Sequence, residues 1–448
     1  MFSRILIANR GEIALRVIRT CRRMGIGTVA VYSEADEDSL HVRLADESIK
    51  IGPAESGKSY LNISSIISAA EIADVDAIHP GYGFLSENAH FAEVCQSCKI
   101  EFIGPSPEAM ALLGNKVKAK EVARSVGVPV IPGSPGAVAD QKEAIAIAAE
   151  IGYPVIIKAA MGGGGRGMRV AHNEVSLKNG FFAAQREAEN AFKDGTLYIE
   201  KLIEHPRHVE AQVIGDKAGN VIFLGERDCS IQRRKQKLLE EAPSPVVDEK
   251  TRSAIGAAAV ALLRKVGYYN AATVEFLYDA PSREFYFMEV NTRLQVEHPV
   301  TEMITGLDLV ALQIRVANGE KLPFRQEDVR NEGWAIECRI NAENPDKNFA
   351  PNPGTIKLFI PPHGEGVRLD SHCYSGYRIP PNYDSLIGKL IVKGRDRAEA
   401  ILNARRALDE FFIEGIPTTI GFHKRLLKSD RFASGRYDIH FVEQEFNT

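Results

Sequence analysis

The chain has 448 residues, 44% hydrophobic and 25% charged, with a net charge of −4 at pH 7. This length sets a prior of about three domains, and the composition is that of a globular protein with a sizeable core. The charge balance leaves no basic footprint for nucleic acid or an anionic membrane. The opening MFSRILIANRGEIALRV carries no apolar signal core or small-residue cleavage site. The most apolar stretch, 255–263, is far short of the roughly 20 residues that span a bilayer. A cytoplasmic protein is expected. The cysteines Cys21, Cys95, Cys98, Cys229, Cys338 and Cys373 are scattered, which suits a reducing compartment. Cys95 and Cys98 have C-x-x-C spacing, but no second pair completes a zinc set, so they read as two small helical thiols.

In chain order, 3–9 reads as a buried strand and 11–24 as an amphipathic helix with Ile13, Val17, Cys21 and Met24 on one face. A strand at 27–32, a helix at 64–73, a strand at 76–79, a helix at 91–98 and a strand at 101–104 follow. That alternation predicts a parallel α/β domain over about 1–110. Beyond it come helices at 115–126 and 140–151, a strand at 153–159, a glycine loop and a helix at 176–192. Strands are expected at 196–202, 208–214 and 220–226, and a helix at 250–266 leads into an antiparallel hairpin, 272–278 with 284–290. The last segment starts near 333, with a strand at 335–340 and helices at 397–412 and 420–427.

The loop KAAMGGGGRGM, 158–168, contains G-x-G-x-x-G, but the following MRVA reads as a strand, whereas a dinucleotide fingerprint needs a helix there. Gly167 is followed by Met168 and Arg169, not by the Lys-Ser/Thr of a P-loop. A strand–glycine loop–strand is either a loose surface hairpin or a mobile lid whose amides approach phosphates. Lys158, at the end of the preceding strand, is placed to reach phosphate.

Period-two alternation puts Thr273, Glu275 and Leu277 on one face of their strand, and Glu289 and Asn291 on one face of its partner. The hairpin brings Glu275 opposite Glu289 and Asn291, a set of hard oxygen donors suited to Mg²⁺; the alternative is two glutamates on a solvated sheet face. In TRLQVEHP, Arg293, Gln295 and Glu297 alternate, so an extended segment displays a cation, an amide and a carboxylate on one side. Such a set can bind a small oxyanion and move a proton. RDCSIQRRKQK, 227–237, supplies Arg233, Arg234, Lys235 and Lys237, whose facing the pattern leaves undetermined; a solvated basic turn is one reading. Cys229 reads as a small buried residue despite its arginine neighbours.

Taken together, IANRGEIA (7–14), HPGYGFLSEN (79–88), GGGGRGMR (162–169), RHVEAQV (207–213), ERDCSIQRR (226–234), MEVNTRLQVEHPVTEMITG (288–306), ECRINAENP (337–345) and PPNYDSLIGKL (380–390) resemble the biotin carboxylases. These are the ATP-grasp subunits of acetyl-CoA carboxylase and related enzymes. The matches run in order nearly from end to end. The resemblance implies an α/β fold (α+β overall): an N-terminal parallel α/β domain, 1–114; a central ATP-grasp domain, 115–332, with a mobile glycine-rich lid at about 131–203; and a C-terminal mixed β/α domain, 333–448. It implies that Lys116, Lys158, Gly163, Gly164, Gly165, Gly167 and Met168 hold ATP phosphates or form the lid. Glu200, Lys201, Ile203 and Leu277 would surround adenine, and His208, Gln232 and Lys235 occupy nucleotide-contacting positions. Glu275, Glu289 and Asn291 match ligands for two Mg²⁺ or Mn²⁺. Lys237, Arg293, Gln295, Val296 and Glu297 match the bicarbonate pocket, with Glu297 as base; Arg339 matches the residue that stabilises the biotin enolate, and Tyr82 lies near the biotin ring.

The resemblance further implies a homodimer, a separate biotin carboxyl carrier protein and separate carboxyltransferase subunits, since no Met-Lys-Met-like biotin attachment signature occurs. Lys235 stands where His or Asn is usual, Met161 where a small residue is common, and Arg23 and Glu365 depart in charge from the best-known bacterial dimer interface. Two other readings compete: a carbamoyl-phosphate or amino-acid ligase of the ATP-grasp type, and a nucleotide-sensing module that kept the fold. The RLQVEHP segment and Arg339 argue against the first, and an intact set of lysines, metal ligands, base and arginine against the second. The acceptor of the full complex, whether acetyl-CoA, propionyl-CoA or pyruvate, is open.

Overall fold

The structure, a computed structural model, describes residues 1–159, 168–192 and 194–446. It divides into two compact units, Met1–Val128 with Arg207–Thr448, and Pro129–Pro206.

The larger unit opens with a five-stranded sheet of β1 (Arg4–Ile7), β2 (Gly27–Ser33), β3 (Glu47–Gly52), β4 (Ala77–His79) and β5 (Glu101–Phe102), in the order β3-β2-β1-β4-β5. All its pairings are parallel. Ile5 and Ile7 enter one apolar cluster, whereas Leu6 and Ala8 enter another on the opposite face. Both faces are covered, which is why β1 reads as an unbroken apolar run. The alternation rule misses β3, because most of its residues are not buried.

Helix starts are legible as capping residues. Asn62 accepts from the Ser65 amide, Asn88 from Phe91, Asn115 from Val117 and Lys118, and Asp248 from Thr251. The helix Gly11–Arg23 differs from its predicted amphipathic form, because Glu12, Arg16 and Thr20 are buried too. Its polar stripe meets charged partners instead of water: Arg16 pairs with Glu302 and Asp308 at 2.8 Å each, and Glu12 with Lys389 at 3.0 Å.

In the smaller unit, β6 (Val155–Ala159) lies between β7 (Met168–Ala171) and β8 (Leu197–Lys201), antiparallel to both. The helices Gln141–Ile151 and Glu174–Phe192 contribute to its core, around Ala148, Val155, Ile157, Leu177, Phe181 and Ile199.

The rest of the larger unit is built on an eight-stranded sheet. Its strands are β9 (Pro206–Gly215), β10 (Val221–Arg233), β11 (Gln236–Ala242), β12 (Asn270–Asp279), β13 (Glu284–Asn291) and β14 (Trp334–Asn341). After three short strands, β15 (Glu343–Asn344), β16 (Ala350–Pro351) and β17 (Leu358–Ile360), come β18 (Val367–Ser371) and β19 (Leu386–Gly394). The order is β13-β12-β9-β10-β11-β14-β19-β18, so one sheet runs through both sides of residue 333.

The basic run 227–237 is the β10–β11 hairpin, not an irregular turn. Arg234 and Lys235 form its tip, both with positive φ (+49° and +67°), the signs a tight hairpin requires. The register then sets Gln232 opposite Lys237. The imperfect alternation in this run has a cause: the register shifts between Asp228 and Ile231, and again before Gln232.

Gly81 shapes the loop that carries Tyr82. Its φ is +63°, and a Cβ there would lie 2.9 Å from Asn9 Nδ2. That amide donates to the Pro80 and Tyr82 carbonyls at 2.7 and 2.8 Å. Gly81→Ala is expected to cost about 1–2 kcal/mol through the left-handed backbone, plus the displaced Asn9 clamp. Urea unfolding that matches wild type would refute this.

Candidate active site

The site grows from the β12–β13 hairpin. Glu275 lies directly opposite Glu289, and Thr273 opposite Asn291. The register shifts after Glu275, leaving Met288 without a partner. Glu275 is buried, while Glu289 keeps a third of its side chain exposed and pairs with Lys116 Nζ at 2.9 Å. Asn291 Nδ2 donates to Glu275 Oε1 at 2.7 Å. Two carboxylates and an amide oxygen on one sheet face, one of them open to solvent, fit a divalent cation that also keeps water or phosphate oxygens.

Lys237 is the hub beside this hairpin. Its ammonium donates to Glu210, to Glu297 Oε1 at 2.8 Å and to Glu275 Oε1 at 3.3 Å. Burial alone would lower the Lys237 pKa; the three carboxylates outweigh it and raise it well above the usual lysine value. His208 Nε2 donates to Glu275 Oε2 at 3.0 Å. Burial opposes its protonation, but Glu275 and Glu210 raise its pKa. The Arg227 guanidinium, wholly buried, reaches Glu210, Gln212, Thr273 and Thr301.

Glu297 is wholly buried and uses both oxygens. One accepts from Lys237, the other from Arg339 Nη2 at 2.9 Å. Burial would raise its pKa; Lys237, Arg339 and Arg227 together hold it well below the usual carboxylate value. Arg339 Nε also donates to Glu240 Oε1 at 2.6 Å.

The segment 292–297 is not the extended strand expected from alternation. It bends after β13 and turns into the helix His298–Thr305, with Glu297 at the N-cap. Its side chains still converge. Arg293 Nη1 donates to Gln295 Oε1 at 2.9 Å, and Gln295 Nε2 to Glu275 Oε1 at 3.3 Å. Arg293 Nε is held by Glu87 at 2.9 Å. The Val296 carbonyl accepts from Lys389 Nζ at 2.9 Å, and Lys389 in turn pairs with Glu12, which takes the Tyr82 hydroxyl. A cleft of about 380 Å³ opens here, lined by Tyr82, Lys237, Val296 and Arg339 and extending past Asn9 and Tyr383.

Among the other anticipated residues, Gln232 is buried opposite Lys237, Lys235 is exposed at the hairpin tip, and Leu277 is half-buried opposite Tyr286. Within the smaller unit, Lys158 Nζ pairs with Glu200, and Met168 lies opposite Lys158 in register. Lys201 Nζ caps the Gly152 and Tyr153 carbonyls at 3.0 and 2.9 Å, and Ile203 is half-buried just after β8. Gly163, Gly164, Gly165 and Gly167, with Met161, lie outside the described residues. Burial pushes the Cys229 thiol far above its usual value, as a structural cysteine requires.

Sequence reasoning missed Glu210, Glu240, Glu12, Glu87 and Lys389. Glu210 sits in RHVEAQV, whose residues are all buried. An acidic residue inside a wholly buried strand is a signal for a paired charge, but only the fold reveals the partner.

Three family models match in sequence: "Biotin carboxylase, N-terminal domain" over 1–110, "Carbamoyl-phosphate synthase L chain, ATP binding domain" over 115–325, and "Biotin carboxylase C-terminal domain" over 337–444. Biotin carboxylase 1 of Bacillus subtilis is 58% identical over 99% of this chain and 98% of its own. The crystal structure of a biotin carboxylase–β-γ-ATP complex from Campylobacter jejuni has TM-score 0.91 and 54% identity, covering 99% of each chain. The biotin carboxylase domain dimer of Hydrogenobacter thermophilus 2-oxoglutarate carboxylase, in complex with MgADP, ADP and bicarbonate, has TM-score 0.90 and 49% identity, covering 99% of this chain and 98% of its own. Fold and site thus define an ATP-grasp ligase. The chain belongs to the biotin carboxylase family.

Proposed function

We propose that this chain carboxylates biotin with bicarbonate at the expense of ATP, as the first half-reaction of a biotin-dependent carboxylase. The observation that carries this reading is the convergence of Lys237, Gln295, Glu297 and Arg339 beside the Glu275–Glu289 hairpin, with Lys237 and Arg339 lining the same cleft as Tyr82.

Bicarbonate attacks the γ-phosphorus of ATP, giving carboxyphosphate and ADP. Phosphoryl transfer depends on positioning and charge neutralisation. Glu275, Glu289 and Asn291 would hold Mg²⁺ or Mn²⁺, which would supply part of that neutralisation when bound; Lys116 and Lys158 serve the phosphates. Lys237, Arg293 and Gln295 present donors to bicarbonate. Glu297 is fully ionised as it stands, so it is ready to accept a proton. Its basicity rises when an anionic substrate competes for Lys237 and Arg339, the two cations that hold it down. Carboxyphosphate breaks into CO₂ and phosphate, the phosphate takes the ureido N–H proton, and the nitrogen bonds CO₂, while Arg339 faces the oxyanion that develops on the ureido oxygen. The 162–167 glycines, with Met168, act as the lid that keeps water from carboxyphosphate. Glu200, Lys201, Ile203, His208, Gln232, Lys235 and Leu277 are assigned to the nucleotide.

The working division is 1–114, 115–332 with a lid at about 131–203, and 333–448. Biotin is presented by a separate carrier protein, the product passes to separate carboxyltransferase subunits, and the chain works as a homodimer in the cytoplasm. Among the described residues no helix is long and apolar enough to cross a membrane. The acceptor assigned is that of an acetyl-CoA carboxylase, with a pyruvate or propionyl-CoA type enzyme as the alternative.

The test is ADP release by the purified chain with Mg²⁺. Stimulation that needs both bicarbonate and free biotin is expected. A rate indifferent to biotin but raised by ammonia or an amino acid would replace this reading with another ligase.

A further inference from the structure

Arg339 is backed by two carboxyl groups that the reaction above does not use. Ala335, Glu337 and Arg339 alternate onto one face of β14. Glu240 of β11 lies directly opposite Glu337, and Lys389 of β19 directly opposite Arg339. Glu240 and Glu337 are both wholly buried. Glu240 Oε1 accepts from Arg339, whereas its Oε2 has no partner. Neither oxygen of Glu337 has a hydrogen-bond partner among the described residues.

We propose that Glu337 is held as the neutral acid behind Arg339, and that Glu240 is the positioning residue that fixes the Arg339 guanidinium. The inference rests on the role given to Arg339 above. Charge balance supports it. Apart from the metal-ligand hairpin and its His208 contact, the buried cluster contains four carboxyl groups, Glu210, Glu240, Glu297 and Glu337. Facing them are the three cations Lys237, Arg227 and Arg339. Lys389 is already paired with Glu12. One acid is therefore in excess, and an ionised carboxylate without a partner is expensive to bury. Glu337, the carboxyl with no hydrogen bond, is the one to carry the proton.

The groups facing the pair point the same way. From β14 and β19 these are Cys338, Arg339 and Lys389, from β10 and β11 Cys229 and Lys237, and from the turn after β13 Glu297. Burial lifts Glu240 to about 7 against the pull of Arg339, and lifts Glu337 well above the usual carboxylate value against Lys389. A neutral Glu337 has a consequence for chemistry. Arg339 already faces the carboxylates of Glu240 and Glu297. A third negative charge would weaken the positive field it offers to an oxyanion.

Infrared spectroscopy of the whole protein at pH 7 tests the first half. The protonated-carboxyl C=O band is expected to lose intensity in Glu337→Gln and to persist in Glu240→Gln. An unchanged band in Glu337→Gln would overturn the neutral acid. Steady-state kinetics test the second half. Glu240→Ala is expected to lower biotin-dependent turnover by the roughly 10–100-fold typical of partners that orient a functional group. Glu240→Gln, which keeps an acceptor for Arg339 Nε, is expected to restore most of it. Bicarbonate-dependent ATP hydrolysis without biotin is expected to fall less than the biotin-dependent rate in both. Wild-type biotin dependence in Glu240→Ala, or equal loss of the biotin-independent rate, would overturn the positioning role. If wild type itself shows no biotin dependence, the assigned reaction fails, while the infrared band still reports on Glu337.

Discussion

Arg339→Gln is expected to lower the biotin-dependent rate by about 10²–10³-fold, the usual effect of removing one donor to a developing oxyanion. Slow bicarbonate-dependent ATP hydrolysis without biotin is expected to survive. The reason is geometric. Arg339 lies on β14 at the cleft with Tyr82, and its guanidinium bridges Glu240 and Glu297. Lys116 and Glu289, assigned above to the phosphates and the metal, pair with each other rather than with it. The loss should fall on turnover more than on the KM for ATP, since an interaction made only in the transition state changes kcat. An Arg339→Gln enzyme with normal biotin-dependent turnover would remove Arg339 from the chemistry.

Lys237→Met is the second substitution with a large expected effect. One ammonium serves Glu210, Glu275 and Glu297, and only 13% of its side chain is exposed. Removing it leaves buried carboxylates with too little positive charge, a defect that typically costs about 3–5 kcal/mol. The pH dependence gives a distinctive signature. In wild type, Glu275 and Glu297 have depressed pKa values. Their stabilisation is present above the unfolded-state value of about 4.3 and fades as pH falls through the folded values. Lys237 has a raised pKa, so its contribution is fully present below about 10.4 and is lost only as pH rises through the folded value. In Lys237→Met the same carboxyls are buried with less compensation, so their pKa values rise. The variant should then lose stability as pH rises through those values and approach wild type in acid. Urea titrations at a series of pH values check this. A destabilisation independent of pH would mean that lost packing, not unpaired charge, is responsible.

The sequence carried the site a long way because its signals are local. The period-two pattern of the β12–β13 hairpin was enough to set Glu275 against Glu289, with Asn291 opposite Thr273 but in reach of Glu275. The helix starts expected at 115 and 250 fall within a residue of the observed Lys116 and Glu249. Where local pattern failed, a long-range constraint had replaced it. Arg293 meets Gln295, and Gln295 and Glu297 both reach the Glu275–Lys237 pair, but through a bend into a helix rather than through strand alternation. Lys237 could not be faced from its own segment, because a register shift in β10 and a positive-φ tip reset the alternation.

By itself, the sequence determined the parallel N-terminal α/β pattern, the carboxylate hairpin and the family to which the chain belongs. These depend on neighbours close along the chain or on motifs that stand in fixed order. Only the tertiary structure decided which buried charge answers which. The partners of Lys237 come from β9, β12 and the turn after β13, and those of Arg339 from β11 and the same turn. Even Glu12 of the first helix finds its cation, Lys389, near the other end of the chain. A buried charge must be matched wherever the fold brings its partner, and no period of the sequence encodes that distance.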